Sequence, residues 1–271
     1  MNEQERQQKI QQTFNIVATG YDNPGLRFFT ASAQQMASCL NLRGDEHLLD
    51  VATGTGSNAL VLAQHLPKGR VTGIDFSAGM LEQARKKAQP LNINNAKFVE
   101  MNMQALNFPD RHFDTAVCAF GIFFVEDMPS QLQHIASKVK PGGSVAISCF
   151  YDTAFLPLAD LFFNRLAQFG IEKPPVSWKK ISSEEKSHAL CASANLHDIR
   201  VLRKNMGYYL HNADDWWDVI WFAGFRGLVN QLSPDNLEKF KKIHLQEIQN
   251  LATPEGIWLD VEVLFTVGQV P

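Results

Sequence analysis

The sequence predicts an α/β chain built as a doubly wound, mostly parallel sheet with helices on both faces, and three observations carry that expectation. Between Leu48 and Phe150 short β-rich runs alternate with helical stretches, and right-handed crossovers between parallel strands place such helices on the two faces of the sheet. The first of these runs ends in a glycine-rich turn that opens a helix. The 271 residues are 45% hydrophobic and 20% charged, ordinary values for a chain that buries a sizeable core, which excludes disordered, collagen-like and disulfide-scaffold classes.

The elements follow in order. Residues 2–18 read as a helix, and Leu26, Phe29, Ala33, Met36 and Leu40 recur at spacings of three and four, which marks a second helix over 26–40. The runs LLDVA (48–52), RVTGID (70–75), AKFVEM (96–101), FDTAVCAF (113–120) and GSVAISCF (143–150) read as strands, with helices over 57–65, 77–88 and 130–138 between them. After Phe150 helical segments dominate, broken at Pro174 and Pro175, and Ser182 with Glu185 forms a capping box that starts a helix. DIRVLRKNMGYYL (198–210) reads as a strand. Asn212 begins a helix holding Trp216, Trp217 and Trp221, and Ser233 followed by Pro234 begins another with Leu237, Phe240, Ile243 and Ile248. GIWLDVEVLFTVG (256–268) closes the chain as an alternating strand, and no internal repeat or low-complexity tract interrupts the pattern.

Charge and cysteine usage narrow the partners. The formal net charge is −3 and neither half of the chain is basic, which argues against nucleic acid and against an anionic membrane surface. Cys39, Cys118, Cys149 and Cys191 lie too far apart for a ligand pair, so no metal is expected, and they suit a reducing compartment. The polar N-terminus lacks the apolar run of a signal peptide, and the most apolar stretch, 116–125, is about half a membrane span. A cytoplasmic protein with no stable membrane insertion is expected, its oligomeric state left open.

The sharpest feature is the segment from Asp50 to Ala59, DVATGTGSNA, at a strand end. Gly54 and Gly56 let the backbone turn tightly and approach a ligand with no Cβ between, while the helix N-terminus offers free N–H groups. A dinucleotide site and a turn with no ligand use the same pattern. Asp50 tilts the balance, because an acid beside the loop is awkward for a pyrophosphate and suits a cationic ligand. Asp75, 19 residues beyond Gly56, ends the second strand, where a carboxylate accepts hydrogen bonds from two ribose hydroxyls.

LLDVATGTGSNAL followed by VTGIDFSAGML resembles the first two motifs of class I S-adenosylmethionine-dependent methyltransferases. FVEMNMQALNFPDRHFD, AVCAFGIFFVED and VKPGGSVAIS resemble the later motifs in order, so the likeness covers about 100 residues, Leu48 to Ser148. The resemblance implies a Rossmann-like sheet of about seven strands with an antiparallel last strand. It further implies a helical cover over 1–45, an S-adenosylmethionine-binding core over 46–150, and over 151–271 the rest of the sheet with helical substrate-facing insertions, all in one integrated domain. Asp50, Ala52, Thr53, Gly54 and Gly56 would line the methionyl part, Asp75 would hold the ribose, and Phe76 and Met80 would pack near the adenine. Asn102 and Met103 would meet the adenine edge, with Asn102 standing where the family often has Asp. Ala119 and Phe120 would sit by the methionyl amine and the sulfonium.

FNIVATGYD (14–22) resembles the N-terminal segment of the ubiquinone/menaquinone biosynthesis C-methyltransferases and related small-molecule enzymes, which brings a tyrosine, here Tyr21, over the cofactor. Those quinone enzymes follow it with a Met- and Asn-containing segment where this chain has NPGLRFF, and they join their last two strands by a short hairpin where about 45 residues intervene here. A small acceptor is favoured, since AFGIFF after the fourth strand lacks the Asn/Asp-Pro-Pro-Tyr and Pro-Cys signatures of nucleic-acid enzymes.

The expected function is therefore methyl transfer from S-adenosylmethionine to O, C or N of a small, apolar organic molecule, leaving S-adenosylhomocysteine, with no metal required. The competing readings are a non-catalytic cofactor-binding interaction module and a nicotinamide-dependent oxidoreductase. Trp216, Trp217, Trp221 and Tyr208 have two uses open to them, lining an apolar acceptor pocket or filling the core of the back half. His188, His197, His211 and Tyr151 read as surface or capping residues, so no catalytic residue is named.

Overall fold

The computed structural model describes residues 3–271; positions 1 and 2, including the first residue of the expected N-terminal helix, lie outside the described residues. Helix α1 (Glu3–Val17) runs into a 3-10 turn (Ala18–Gly20), and a second 3-10 turn (Pro24–Leu26) leads into α2 (Phe28–Cys39). The core follows as β1 (His47–Val51), α3 (Ser57–Gln64), β2 (Arg70–Asp75), α4 (Ala78–Ala88), β3 (Ala96–Glu100), β4 (Phe113–Ala119), α5 (Met128–Ser137) and β5 (Val139–Phe150). Beyond it come α6 (Leu158–Gln168), α7 (Glu184–Ser193), β6 (His197–Asn205), β7 (Tyr208–Leu210), α8 (Ala213–Phe222), α9 (Arg226–Val229), α10 (Pro234–Gln249), β8 (Ile257–Leu259) and β9 (Glu262–Gln269).

Seven strands form one sheet in the order β3-β2-β1-β4-β5-β9-β6. β1 to β5 pair in parallel, and β9 runs antiparallel to both β5 and β6, as expected of the doubly wound class. β1 and β4 read as near-continuous apolar runs because both their faces are covered: Leu48, Leu49, Val51, Ala116 and Val117 are wholly buried. Chain order reverses between β1 and β4, and at such a switch point the carboxyl ends of the strands leave a crevice. Register brings Asp50 opposite Gly73 on β2 and Val117 on β4, so the acid at the end of β1 stands at the floor of that crevice.

Four expectations are corrected. The strand over 198–210 is two strands, β6 and β7, and the strand over 256–268 is likewise β8 and β9; β7 and β8 form a separate two-stranded ribbon. The cause is a close approach at Gly207, where an added Cβ would lie 2.5 Å from the carbonyl oxygen of Leu259, together with the loss of strand pairing at Asp260 and Val261. Alternation at period two continues across such a break and hides it. The cap of α7 is Ser183, whose side chain accepts from Lys186 N, whereas Ser182 is buried and bonds Asp152. Helix α5 begins at Met128, before the expected 130, because Asp127 caps it by accepting from Ser130 N at 3.1 Å.

The tryptophan pair takes the second of its two uses. Trp216 and Trp217 on α8 are buried, with Phe225 and Phe240 around Trp216 and Trp217 respectively, and neither Trp221 nor Tyr208 lines the cleft described below. This helical block buttresses the N-terminal cover instead. Tyr208 Oη donates to Gly25 O at 2.8 Å, Asn23 Nδ2 donates to Asp218 Oδ2 at 2.9 Å, and a Cβ on Gly25 would come within 2.9 Å of Asp215 O.

Candidate functional site

One cleft opens at the carboxyl ends of β1, β2 and β4, under α1. Tyr21, Ala52, Thr53, Gly54, Asp75, Phe76, Met80, Asn102, Met103, Ala119 and Phe120 all line it. Asp50 and Gly56 stand behind the lining. Asp50 is buried, its carboxylate accepting from the Thr53 hydroxyl and from the backbone N–H of Ala59, so it ties the two sides of the glycine turn together. Gly56 has φ +81°, and a Cβ there would press on Ala84 Cβ at 3.0 Å, so this glycine is demanded by packing. Gly54 has φ +55° with nothing within 4 Å of its Cβ position, so its backbone faces open space.

Two non-glycine residues of the cleft lining share that left-handed region, Ala52 at φ 55° and Phe120 at φ 53°. Each costs about 1–3 kcal/mol, which only a surrounding structure that fixes them can sustain. Gly121, next to Phe120, packs on the first of them, since a Cβ added there would meet Ala52 Cβ at 2.8 Å. The turns after β1 and β4 therefore close on each other and set one edge of the cleft.

Asp75 ends β2 with both carboxylate oxygens occupied on one side: Oδ2 accepts from Gly54 N and Oδ1 from Ser77 N, each at 2.9 Å. The Phe76 N–H is a third backbone donor, and since a carboxylate has about four lone-pair positions, acceptor capacity still remains. Burial pushes Asp75 up to about 6 against the pull of these N–H donors. Burial likewise pushes Asp50 up to about 7, opposed by the Thr53 hydroxyl and the Ala59 N–H and aided by the charge of Asp75. Burial, then the charges of Asp75 and Asp22, holds the Tyr21 phenol protonated well above its ordinary range.

Helix α1 closes the cleft with amides, a feature its sequence did not advertise. Gln7, Gln11 and Asn15 recur every four residues. Gln7 bonds Gln104 and accepts from Asn102 Nδ2 at 2.9 Å, Gln11 Nε2 donates to Phe76 O at 2.5 Å, and Asn15 Oδ1 accepts from Ser77 Oγ at 2.7 Å. Asn102 Oδ1 is already bonded by Gln104 N at 2.9 Å, and Met103 O by Gln131 Nε2 at 2.7 Å. Gln7 and Gln104 thus join Asn102 and Met103 at this end of the cleft.

The opposite end is aromatic. Phe124, Phe14, Tyr21, Phe29 and Phe120 form a chain of rings with centroid separations of 5.4, 6.2, 5.1 and 5.3 Å, and all five line the cleft. Tyr21 stacks on Phe29 at an interplanar angle of 19°. The cover is fastened beside it, where Asp22 Oδ1 accepts from Thr55 Oγ1 at 2.8 Å and pairs with Lys87 Nζ at 2.6 Å. His188, His197 and His211 are exposed, and neither they nor Tyr151 line the cleft.

A family model described as a methyltransferase domain matches residues 48–143, which hold the glycine turn, Asp75 and the turn after β4. A ubiquinone/menaquinone biosynthesis C-methyltransferase from Geobacter sulfurreducens is 31% identical over 212 residues, 72% of this chain and 83% of that protein. The chain belongs to the class I S-adenosylmethionine-dependent methyltransferases. A demethylmenaquinone methyltransferase from Listeria welshimeri is 27% identical over 146 residues, an alignment that spans 52% of this methyltransferase and only 62% of the length of the curated relative. Among solved structures, the YcgJ protein from Bacillus subtilis shares the fold at a TM-score of 0.60, with 22% identity, covering 88% of this chain and 97% of that one. Among the described residues no helix is long and apolar enough to cross a membrane.

Proposed function

We propose that this methyltransferase transfers a methyl group from S-adenosylmethionine to an oxygen, carbon or nitrogen of a small, apolar, ring-bearing acceptor. The observation that carries the reading is the composition of one cleft: a glycine turn and a buried carboxylate at one end, a wall of five aromatic rings at the other. The cleft fits the donor on its own terms. Gly54 presents bare backbone, Asp75 keeps acceptor capacity for ribose hydroxyls, and the acids suit a positive charge.

When bound, S-adenosylmethionine supplies a methyl already activated on a sulfonium. The chain's own task is then orientation and exclusion of water. In this reading Asp75 holds the ribose, and the amides of Gln7, Asn102 and Gln104 surround the adenine edge. Phe120 and Tyr21 offer ring faces and edges to the region where sulfonium and acceptor meet. The rings of Phe14, Phe29 and Phe124 supply the acceptor's apolar surroundings, and α1 with its amide bonds shields them.

Thermal unfolding with S-adenosylmethionine, S-adenosylhomocysteine or NADH tests the donor. A ligand at about 100 times its Kd stabilises by about 2.7 kcal/mol, so a midpoint rise of several degrees is expected with the two sulfur nucleosides and none with NADH. Transfer of tritiated methyl groups into an extract of small organic molecules tests the reaction. Tight nucleoside binding with persistent lack of transfer would move the chain to the non-catalytic alternative.

The acid pair adds a pH signature. Both carboxylates have raised values, so the folded chain keeps protons that the unfolded chain has lost. Their contribution to stability is complete below about pH 4 and is lost as the pH climbs through about 6 and 7. Donor binding runs the other way, because ribose hydroxyls and a sulfonium favour the ionised acids. Affinity for S-adenosylmethionine is expected to fall about tenfold or more between about pH 7.5 and 5.5, with proton release on binding near pH 6.5. Calorimetry in buffers of different ionisation enthalpy reads both quantities, and a flat affinity with no proton release rejects the assignment of Asp75.

A further inference from the structure

Among the described residues, none that lines the cleft comes after Val125, so the helical back half acts on the cleft only through another part of the chain. Helix α8 shows where. Trp216, Val219 and Ile220 bury one side of it in the core of the back half, and Trp216 is tied there to His244. Asp215, Asp218 and Phe222, at spacings of three and four, share another side and meet the N-terminal cover. Asp218 Oδ2 accepts from Asn23 Nδ2 at 2.9 Å, and a Cβ on Gly25 would lie 2.9 Å from Asp215 O and 3.3 Å from Asp218 Cβ.

Phe222, the last residue of α8, makes the third contact. A Cβ on Gly20 would lie 2.8 Å from Phe222 Cγ and closer still to its Cδ1 and Cε1, so the ring occupies the place of the missing side chain. Gly20 ends the 3-10 turn that Tyr21 caps, and Tyr21 both lines the cleft and stacks on Phe29. The segment is therefore held twice: Asp22 fastens it to Thr55 and Lys87, while Gly20, Asn23 and Gly25 rest on α8. α8 is a firm support, capped by Asn212, whose side chain accepts from Asp214 N at 2.9 Å, and anchored at Trp216.

We infer that Phe222 is a positioning residue: by covering Gly20 it sets where the Tyr21 ring stands at the cleft, and so ties the geometry of the site to the core of the back half. Of the three contacts it is the one adjacent in the chain to Tyr21, and close packing transmits a displacement where a solvated loop would absorb it. Glycine at position 20 is what lets the ring come so near. The inference rests on the donor reading above.

The chain has four tyrosines, so labelling with 3-fluorotyrosine gives four fluorine signals, that of Tyr21 being identified by Tyr21→Phe. Phe222→Ala is expected to move the Tyr21 signal and to weaken S-adenosylhomocysteine, read by calorimetry, about fivefold. Gly20→Ala puts a methyl where the ring lies and is expected to do the same. The two changes together do no more than either alone, because they act on one contact. Phe222→Leu keeps an apolar body against Gly20 and holds both readings near those of the parent, and an unmoved Tyr151 signal reports that the variants fold. A lower melting temperature for Phe222→Ala with the Tyr21 signal and the affinity unchanged makes Phe222 a structural residue and overturns the inference, as does full additivity of the two changes. If the parent binds no S-adenosylhomocysteine, the donor reading falls, and the Tyr21 signal, read without ligand, still decides whether Phe222 places the ring.

Discussion

Asp75→Ala is expected to weaken S-adenosylhomocysteine binding by about 2–3 kcal/mol, a factor of about 30 to 150, while leaving the melting temperature of the free protein little changed. The two halves of that expectation have one cause. Asp75 is buried and pushed up to about 6, so at pH 7 its charged form works against the fold, and removing it relieves desolvation even as Gly54 N and Ser77 N lose their acceptor. Nothing offsets the loss once ribose hydroxyls are to be held, because no other carboxylate lines that part of the cleft among the described residues except Glu3, which is bonded to Arg6 and held down to about 2. Asp75→Asn does not rescue. An amide offers one acceptor where Gly54 N and Ser77 N demand two, so one N–H would face an NH2 group. Calorimetry and a melting curve on the same samples decide it: unchanged affinity removes Asp75 from the nucleoside site, and a collapsed melting temperature makes it a structural acid.

The contrast between what was legible and what was not follows from the kind of force involved. The parallel strands and the glycine turn were readable because burial on both faces leaves near-continuous apolar runs such as AVCAF, and because only glycine tolerates the backbone at Gly56 beside Ala84. The closing role of α1 was not. Val17 is its one buried residue among those described, and it is fastened by amides whose partners lie far away in the chain, Gln7 to Asn102 and Gln11 to Phe76. Periodicity reports which face loses water to an apolar core, and a polar seam leaves no such trace. The strand breaks at Gly207 and Asp260 escaped for a related reason: alternation describes which side a residue faces, and says nothing about which strand it pairs with. The acceptor wall was sought among the tryptophans because large rings are costly to leave wet. Phenylalanines from two distant segments, Phe14 and Phe29 on the cover and Phe120 and Phe124 after β4, line the cleft instead.

Trp216→Ala is expected to be the most destabilising single change, at about 3–5 kcal/mol, with a melting temperature lower by roughly 6–20 °C for a chain of this size. Trp216 is fully buried, and its Nε1 donates to His244 Nε2 at 2.9 Å. His244 is itself fully buried and burial holds it down to about 4, so it is neutral at pH 7. With Nε2 accepting, the proton sits on Nδ1, which lies 3.6 Å from Glu247 Oε2. Removing the indole opens a cavity beside Phe225 and strands Nε2 between the stacked ring of Phe240 and the tilted ring of Phe162. Trp216→Phe keeps most of the volume but still orphans that nitrogen, so it should cost about 1–3 kcal/mol. Because Trp216 does not line the cleft, variants measured well below their melting temperature should bind S-adenosylhomocysteine as the parent does. The opposite pattern, an unchanged melting temperature with lost methyl transfer, would return the indole to the acceptor pocket and make the ring chain from Phe124 to Phe120 only one side of it.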